Sequence, residues 1–299
     1  MLKYDTNYGP YQGTVDATEK SLLVDGKEIA VLSERDPGVI PWSDFDVSLV
    51  IESTGFFTDG NDAKKHIQGS VNKVIITAPA KNEDITLVLG VNEEAYNPST
   101  HKVISNASCT TNCIAPILHI VENKYGVEKG HLETVHSYTN DQNLLDNMHK
   151  KPRRGRSAAI NMVITSTGAG NAVTKVIPSL AGKLSANAVR VPTPNVSLAI
   201  LKLSLNRTTS IEDLNATMRD AALRGNLVNQ INYQVDPELV STDIIGNSCC
   251  SVFDSNATIV TKDGKDVVLY VWYDNEFGYT KQVIRLAKLI AKVRRLTYY

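Results

Sequence analysis

Short, nearly continuous apolar runs alternate with turn-like or helix-like segments through the first third of the chain. Asp46-Val-Ser-Leu-Val-Ile51, Lys73-Val-Ile-Ile-Thr-Ala78, Ile85-Thr-Leu-Val-Leu-Gly90 and His101–Asn106 each have strand length. Glu52-Ser-Thr-Gly-Phe56 reads as a small-residue turn and Asn61–Gln68 as a helix. Buried-type strands separated by helices predict a parallel sheet. Ligands of such sheets sit beyond the C-terminal strand ends. That edge is where the Ser53-Thr54-Gly55 turn, Thr77 and Cys109 would lie.

After Cys109 the pattern changes. A helix is expected over Cys109–Asn123, then longer strands over Glu133–Tyr138, Ala188–Val191, Val196–Leu205, Ala257–Thr261 and Val267–Tyr273. Lys262-Asp-Gly-Lys265 is a hairpin turn between the last two. Helices are expected over Thr167–Leu180, Ser210–Leu223 and Thr280–Arg295, with Ser210 as a cap and Asp213 three residues on, an approximate capping box. The fold class is therefore α/β followed by α+β, the second part with a mostly antiparallel sheet. The predicted organisation is one unit over residues 1–108 and another over 109–275. The C-terminal helix in 276–299 is expected to pack back on the first unit.

Composition narrows the chemistry. The 299 residues are 42% hydrophobic and 21% charged, ordinary for a globular chain, and the formal net charge of −1 supplies no field for nucleic acid or an anionic membrane. Four cysteines without zinc-ligand spacing predict neither a disulfide scaffold nor a metal site, and they fit a reducing cytoplasm. No stretch has the length of a membrane span, and Met-Leu-Lys-Tyr-Asp lacks the apolar run of a secretion signal.

The most informative segment is Ser105-Asn-Ala-Ser-Cys-Thr-Thr-Asn112. It sets Cys109 between small hydroxyl residues where a strand ends and a helix begins. Unpaired N–H groups and partial positive charge at a helix start are expected to push a thiol towards thiolate. A buried structural cysteine is the alternative for a lone thiol. A nucleophile needs a base, and His136 follows in Glu133-Thr-Val-His-Ser-Tyr138, ahead of the polar run Ser137-Tyr-Thr-Asn-Asp141. Lys150-Lys-Pro-Arg-Arg-Gly-Arg156 holds five basic residues in seven, which suits a solvated surface, nucleic acid or a small phosphorylated substrate. Ser166-Thr-Gly168 at a helix start offers hydroxyl and N–H donors to phosphate, and Arg190 adds a bidentate donor.

Ser-Asn-Ala-Ser-Cys-Thr-Thr-Asn-Cys, His-Ser-Tyr-Thr-Asn-Asp-Gln, Arg-Val-Pro-Thr-Pro-Asn-Val-Ser and Trp-Tyr-Asp-Asn-Glu-Phe-Gly-Tyr occur in this order over nearly the whole chain. Together they resemble phosphorylating glyceraldehyde-3-phosphate dehydrogenase, and Asn143–Met162 with the Trp272 segment resembles its long-form bacterial subgroup. The resemblance implies a Rossmann-type nucleotide-binding domain, incomplete here, and an α+β catalytic domain. Cys109 then stands as the nucleophile and His136 as the base. Thr139, Asp141 and Arg190 match the substrate-phosphate site, and Ser108, Thr167 and Gly168 the site for the attacking phosphate. Thr110, beside the nucleophile, joins the substrate-binding set. Ser53, Thr54, Gly55 and Thr77 match segments lining the dinucleotide, and Asn275 the residue holding the nicotinamide carboxamide, with Tyr279 close by. The implied partners are a phosphorylated aldehyde, inorganic phosphate and a homotetramer of the chain, in glycolysis or gluconeogenesis.

The family opens with a strand, a Gly-x-Gly-x-x-Gly turn, a helix, a second strand and a ribose-binding acidic residue. Here Leu2-Lys-Tyr-Asp-Thr-Asn-Tyr-Gly-Pro-Tyr11 resembles a segment after that unit, so a unit of about 30 residues or more is expected to be missing from a shortened version of a complete enzyme. Gly168-Ala-Gly170-Asn-Ala-Val173 imitates the fingerprint but lacks its third glycine. NAD is the expected cofactor. NADP stays open, because Asn147-Met148 stands where many NAD-specific members carry Leu-Pro. Erythrose-4-phosphate dehydrogenase and a non-catalytic binding protein that retains the fold are the competing functions.

Overall fold

The computed structural model describes residues 2–293. The chain opens with the hairpin Tyr4–Asp5/Gly9–Pro10 and a three-stranded antiparallel sheet of Val15–Ala17, Ser21–Val24 and Lys27–Ala30. A second sheet is wholly parallel. Its order is Leu49–Glu52, Lys73–Ile76, Val103–Ser105, Ile85–Thr86. Both faces are covered, as continuous apolar runs require. Val50, Val74, Ile76 and Val103 pack with Ala63 and Val71 on one side. Ile75, Ile104 and Leu87 pack on the other with Leu286 and Ile290 of the C-terminal helix Phe277–Ile290. The expected end of that helix at Arg295, like the rest of 294–299, lies outside the described residues. Glu52, Ile76 and Ser105 stand level in register, so the turns after these strands emerge along one edge.

From that edge the chain passes through Ala107, at φ 55, into the helix Cys109–Tyr125. The Ser108 hydroxyl accepts from Thr111 N (3.0 Å) and caps the helix. Gly126, at φ 68, ends it, and a Cβ there would stand 2.7 Å from Asn206 Nδ2. The helix lies under an eight-stranded sheet ordered Val163–Thr165, Leu184–Val191, Val127–Ser137, Ser197–Leu205, Asp266–Tyr273, Ser251–Asp254, Ile231–Gln234, with Ile259–Val260 beside Asp266–Tyr273. Two pairings are parallel and the rest antiparallel. Ser197–Leu205 shows why the sheet has one core face: Ala199, Leu201, Leu203 and Leu205 are buried in alternation with Leu198, Ile200, Lys202 and Ser204. The buried set packs on Cys109–Tyr125, Ala169–Val176 and Ile211–Leu223. Truncating fully buried Leu201 to Ala would cost about 2–5 kcal/mol.

Candidate active site

Cys109 and His136 come from different elements, 27 residues apart, and meet with Sγ 3.6 Å from Nε2. His136 lies at the end of Val127–Ser137, where sheet pairing sets it directly opposite Arg190 on the parallel strand Leu184–Val191. Its Nδ1–H donates to the Ser137 carbonyl (2.8 Å). A carbonyl only accepts, so the proton sits on Nδ1 and the lone pair of Nε2 faces the sulfur. The Tyr273 ring stands edge-on to the imidazole at 5.9 Å.

The electrostatics correct the expectation of a resting thiolate. Burial pushes the Cys109 thiol up, and the Thr110 hydroxyl, the Thr110 N–H and Arg190 only partly offset this. Burial, helped by Arg190 and Arg154, holds the His136 imidazole down at about 4. The resting pair near neutrality is thus a thiol donating to an uncharged imidazole, and the ion pair forms only as the sulfur reacts. Desolvation outweighs the helix N-terminus here even though Cys109 is only partly buried.

Thr110 follows Cys109 in the first turn of the same helix. It is buried, and its hydroxyl is engaged by the Tyr273 hydroxyl (2.9 Å), which also meets Thr134 Oγ1 (2.8 Å). The side chain therefore braces the start of the helix from the core side.

Arg190 is half-buried. Its Nη1 donates to Ser137 O (2.9 Å) and Thr139 Oγ1 (3.2 Å), and its buried Nε has no partner among the described residues. Asp141 is ion-paired with Arg154 Nη1 and approaches His149 (3.7 Å). It can therefore orient a guanidinium but would repel phosphate itself. Arg154 also donates to Thr165 Oγ1 (3.0 Å) and Ser166 O (3.3 Å). The basic run thus delivers one arginine to the site, a residue that charge clustering alone did not single out. Thr167 Oγ1 accepts from Ala169 N (3.2 Å), and Gly168 precedes the helix Ala169–Val176 with open space where a Cβ would stand. Ala107, Gly168, Asn171 and Lys175 help line a cavity of about 130 Å³ there. The expected helix Thr167–Leu180 stops at Val176 because Pro178 disfavours the helical conformation in Ile177, found at φ −130, ψ 81.

At the parallel-sheet edge, the Glu52 carboxylate accepts from Thr54 N (2.8 Å) and from the Thr54 hydroxyl, and meets His66 Nε2 (3.0 Å). The Thr54 hydroxyl is therefore turned inward, locking the Ser53–Gly55 turn and leaving its exposed backbone for a ligand. Thr77 N donates to Glu52 O (3.0 Å), tying the neighbouring turn to it. Asn275 Oδ1 accepts from Ser137 Oγ (2.9 Å) and Ser197 Oγ (3.0 Å), and its Nδ2 has no partner among the described residues. The Tyr279 hydroxyl donates to Ala107 O (3.0 Å). Among the described residues no group of three His, Cys, Asp or Glu side chains is placed to hold a metal.

Two family models match the chain: "Glyceraldehyde 3-phosphate dehydrogenase, NAD binding domain" over residues 1–60 and "Glyceraldehyde 3-phosphate dehydrogenase, C-terminal domain" over residues 108–275. The chain belongs to the glyceraldehyde-3-phosphate dehydrogenase family. Glyceraldehyde-3-phosphate dehydrogenase 1 of Bacillus cereus is 51% identical over 287 residues, which is 96% of this chain and 85% of that protein. Glyceraldehyde-3-phosphate dehydrogenase 1 of Bacillus subtilis is 49% identical over 98% of this chain and 86% of its own length. The Streptomyces coelicolor enzyme is 48% identical over 97% and 86%. Membership makes the chain an NAD-dependent oxidoreductase of the glyceraldehyde-3-phosphate dehydrogenase type and does not favour erythrose 4-phosphate or a non-catalytic role.

The residues fit that cofactor. An amide nitrogen without a protein partner, an exposed turn held rigid from behind and a level strand edge are the donors and the platform a dinucleotide needs. Ser137, Ser197 and Glu52 take part in holding the site but were not singled out in the sequence. Ser137 and Ser197 lie within matched motifs, and Glu52 directly precedes the small-residue turn. No helix among the described residues is long and apolar enough to cross a membrane.

Proposed function

We propose that the protein oxidises glyceraldehyde 3-phosphate to the acyl phosphate, with Cys109 as nucleophile and His136 as general base and acid. The observation that carries this reading is the bare Nε2 of an uncharged imidazole 3.6 Å from the partly buried Cys109 thiol. His136 takes the thiol proton as sulfur attacks the aldehyde carbon, and returns it to the oxygen to complete a thiohemiacetal. The Cys109 N–H, at the helix start, stabilises the oxyanion. His136 then removes the hydroxyl proton as the carbon becomes a thioester on Cys109. Bound NAD supplies the acceptor for the hydride. Inorganic phosphate attacks the thioester carbon, and His136 protonates the departing sulfur. The thiol and the neutral imidazole are regenerated, and the proton that hydrogen phosphate loses on attack leaves to solvent.

Arg190 and Thr139 hold the substrate phosphate, with Asp141 acting through Arg154. Ser108, Thr167 and Gly168 hold the attacking phosphate within reach of the same carbon, which makes its attack intramolecular in effect. Ser53, Gly55, Thr77, Asn275 and Tyr279, with the backbone of Thr54, line the dinucleotide. Partly exposed Leu198, Ile200, Tyr270 and Trp272 on the outer sheet face, and exposed Leu144, Leu145 and Met148, support assembly as a homotetramer. Four free cysteines support a cytoplasmic setting.

The test is phosphate-dependent formation of reduced nicotinamide from glyceraldehyde 3-phosphate, alongside Cys109→Ser. Loss of turnover in the variant with NAD binding retained is expected. A variant that still turns over at the parent rate removes Cys109 as nucleophile.

A further inference from the structure

Asp274 directly precedes Asn275 and is buried at 1% exposure. Its carboxylate accepts from five groups in four separate segments. Oδ1 receives the Tyr8 hydroxyl (2.8 Å), Phe277 N (2.8 Å) and Glu276 N (3.0 Å). Oδ2 receives Gly246 N (2.8 Å) and Asn195 Nδ2 (3.2 Å). Among the described residues no cation pairs with it, so neutral donors alone compensate a buried charge. Such a centre is sensitive to the loss of any one partner.

Tyr8 is the most remote of these donors, 266 residues away along the chain. Its oxygen also accepts from Asn195 Nδ2 (2.9 Å) and Phe277 N (3.2 Å), and its ring lies 5.5 Å from that of Phe277. One phenol therefore closes a knot over the first turn of Phe277–Ile290, with Asn275 at its base. Asn275 is gripped through its own oxygen by Ser137 and Ser197, while Asp274 fixes the backbone that directly follows it.

We propose that Tyr8 and Asp274 are positioning residues for Asn275, and that the N-terminal hairpin thereby sets the affinity for the nicotinamide end of the cofactor. This rests on Asn275 facing that cofactor. Tyr8→Phe keeps the ring and deletes only the donor. It is expected to weaken NAD binding about fivefold to tenfold, less than the full worth of one hydrogen bond to a charged acceptor because Tyr8 acts on the cofactor only through Asn275. KM for the aldehyde and the rate of Cys109 alkylation should stay at parent values, which a general loss of structure would not allow. Hydrogen exchange at the Glu276 and Phe277 amides should speed up in the same variant, with or without cofactor. In an Asn275→Ala background the further loss of NAD affinity from Tyr8→Phe should vanish. Unchanged exchange or unchanged NAD affinity in Tyr8→Phe overturns the proposal, and so does the same fold-loss in both backgrounds. If Asn275→Ala alone binds NAD as the parent does, the cofactor role of Asn275 fails and the proposal falls with it, recognisably, because exchange in Tyr8→Phe would still respond.

Discussion

Holding His136 uncharged has a thermodynamic consequence that is measurable without substrate. Burial lowers this imidazole from 6.5 to about 4, so the unfolded chain takes up the proton before the folded protein does. Above 6.5 both states are neutral here and the histidine does not bias folding. Between 6.5 and about 4 the folded state is progressively penalised as pH falls, and the full penalty, about 3 kcal/mol, is reached below the lower value. At about pH 5 the linkage amounts to about 2 kcal/mol. For 299 residues that is a loss of about 3 °C in melting temperature. His136→Asn keeps a donor for the Ser137 carbonyl and does not titrate. The assay is denaturant unfolding of parent and variant at about pH 7.5 and about pH 5. The variant's stability relative to the parent should improve by about 2 kcal/mol on acidification. Burial holds Cys109 above its ordinary 9.0, so it does not titrate in this window. A difference that does not move with pH would refute the assignment of a buried neutral imidazole.

The same substitution removes the proton acceptor for the thiol, so alkylation of Cys109 by iodoacetamide near neutrality should slow roughly a hundredfold. An unchanged rate would mean the sulfur ionises without His136. Arg190→Ala should raise KM for glyceraldehyde 3-phosphate by about tenfold or more while leaving unphosphorylated glyceraldehyde unaffected, since only the former has a group for the guanidinium. Equal effects on both would place Arg190 elsewhere in the reaction. In Gly60→Ala the new Cβ would stand 2.2 Å from the Asn82 backbone oxygen, so the variant should lose about 1–3 kcal/mol in thermal unfolding. Parent-like melting would show that this contact relaxes freely.

The parallel strands were legible because both their faces are buried and they read as apolar runs. Lys73–Ile76 and Val103–Ser105 fall within the expected segments. The hairpin at Lys262–Lys265 was legible from Asp263-Gly264, and Gly264 takes the φ of 71 that such a turn requires. Ser210 caps its helix through Asp213 N (3.2 Å), yet the Asp213 carboxylate reaches Lys124 (2.8 Å) and Tyr125 (2.6 Å), so the reciprocal half of the capping box is replaced by a tertiary contact. Ile231–Gln234 and Ser251–Asp254 were missed. Each is four residues long and is held as a strand by partners distant in the chain, Ser251–Asp254 lying between Asp266–Tyr273 and Ile231–Gln234, pairings with no local signature. Asn61–Gln68 shortened to Gly60–Ala63 with a tighter turn after it. At the site, Cys109, His136 and Arg190 were legible as residue types in motifs. The protonation state of the pair was not, because it depends on burial and on the Arg190 and Arg154 charges that the fold brings near His136 from other parts of the chain.

Ala107 bears on how this protein can change. Its backbone sits at φ 55, its side chain is fully enclosed, its N–H is held by Ser105 Oγ (3.0 Å) and its carbonyl by the Tyr279 hydroxyl. The left-handed conformation costs an alanine about 1–2 kcal/mol, a cost that glycine escapes and a branched side chain could not meet in this space. Only two residues are therefore open to drift at this position. A saturation library at 107 selected for folding should return alanine and glycine, with glycine the more heat-resistant. Selected for turnover, it should keep alanine, because a freer hinge two residues before Cys109 would blur the aim of the sulfur.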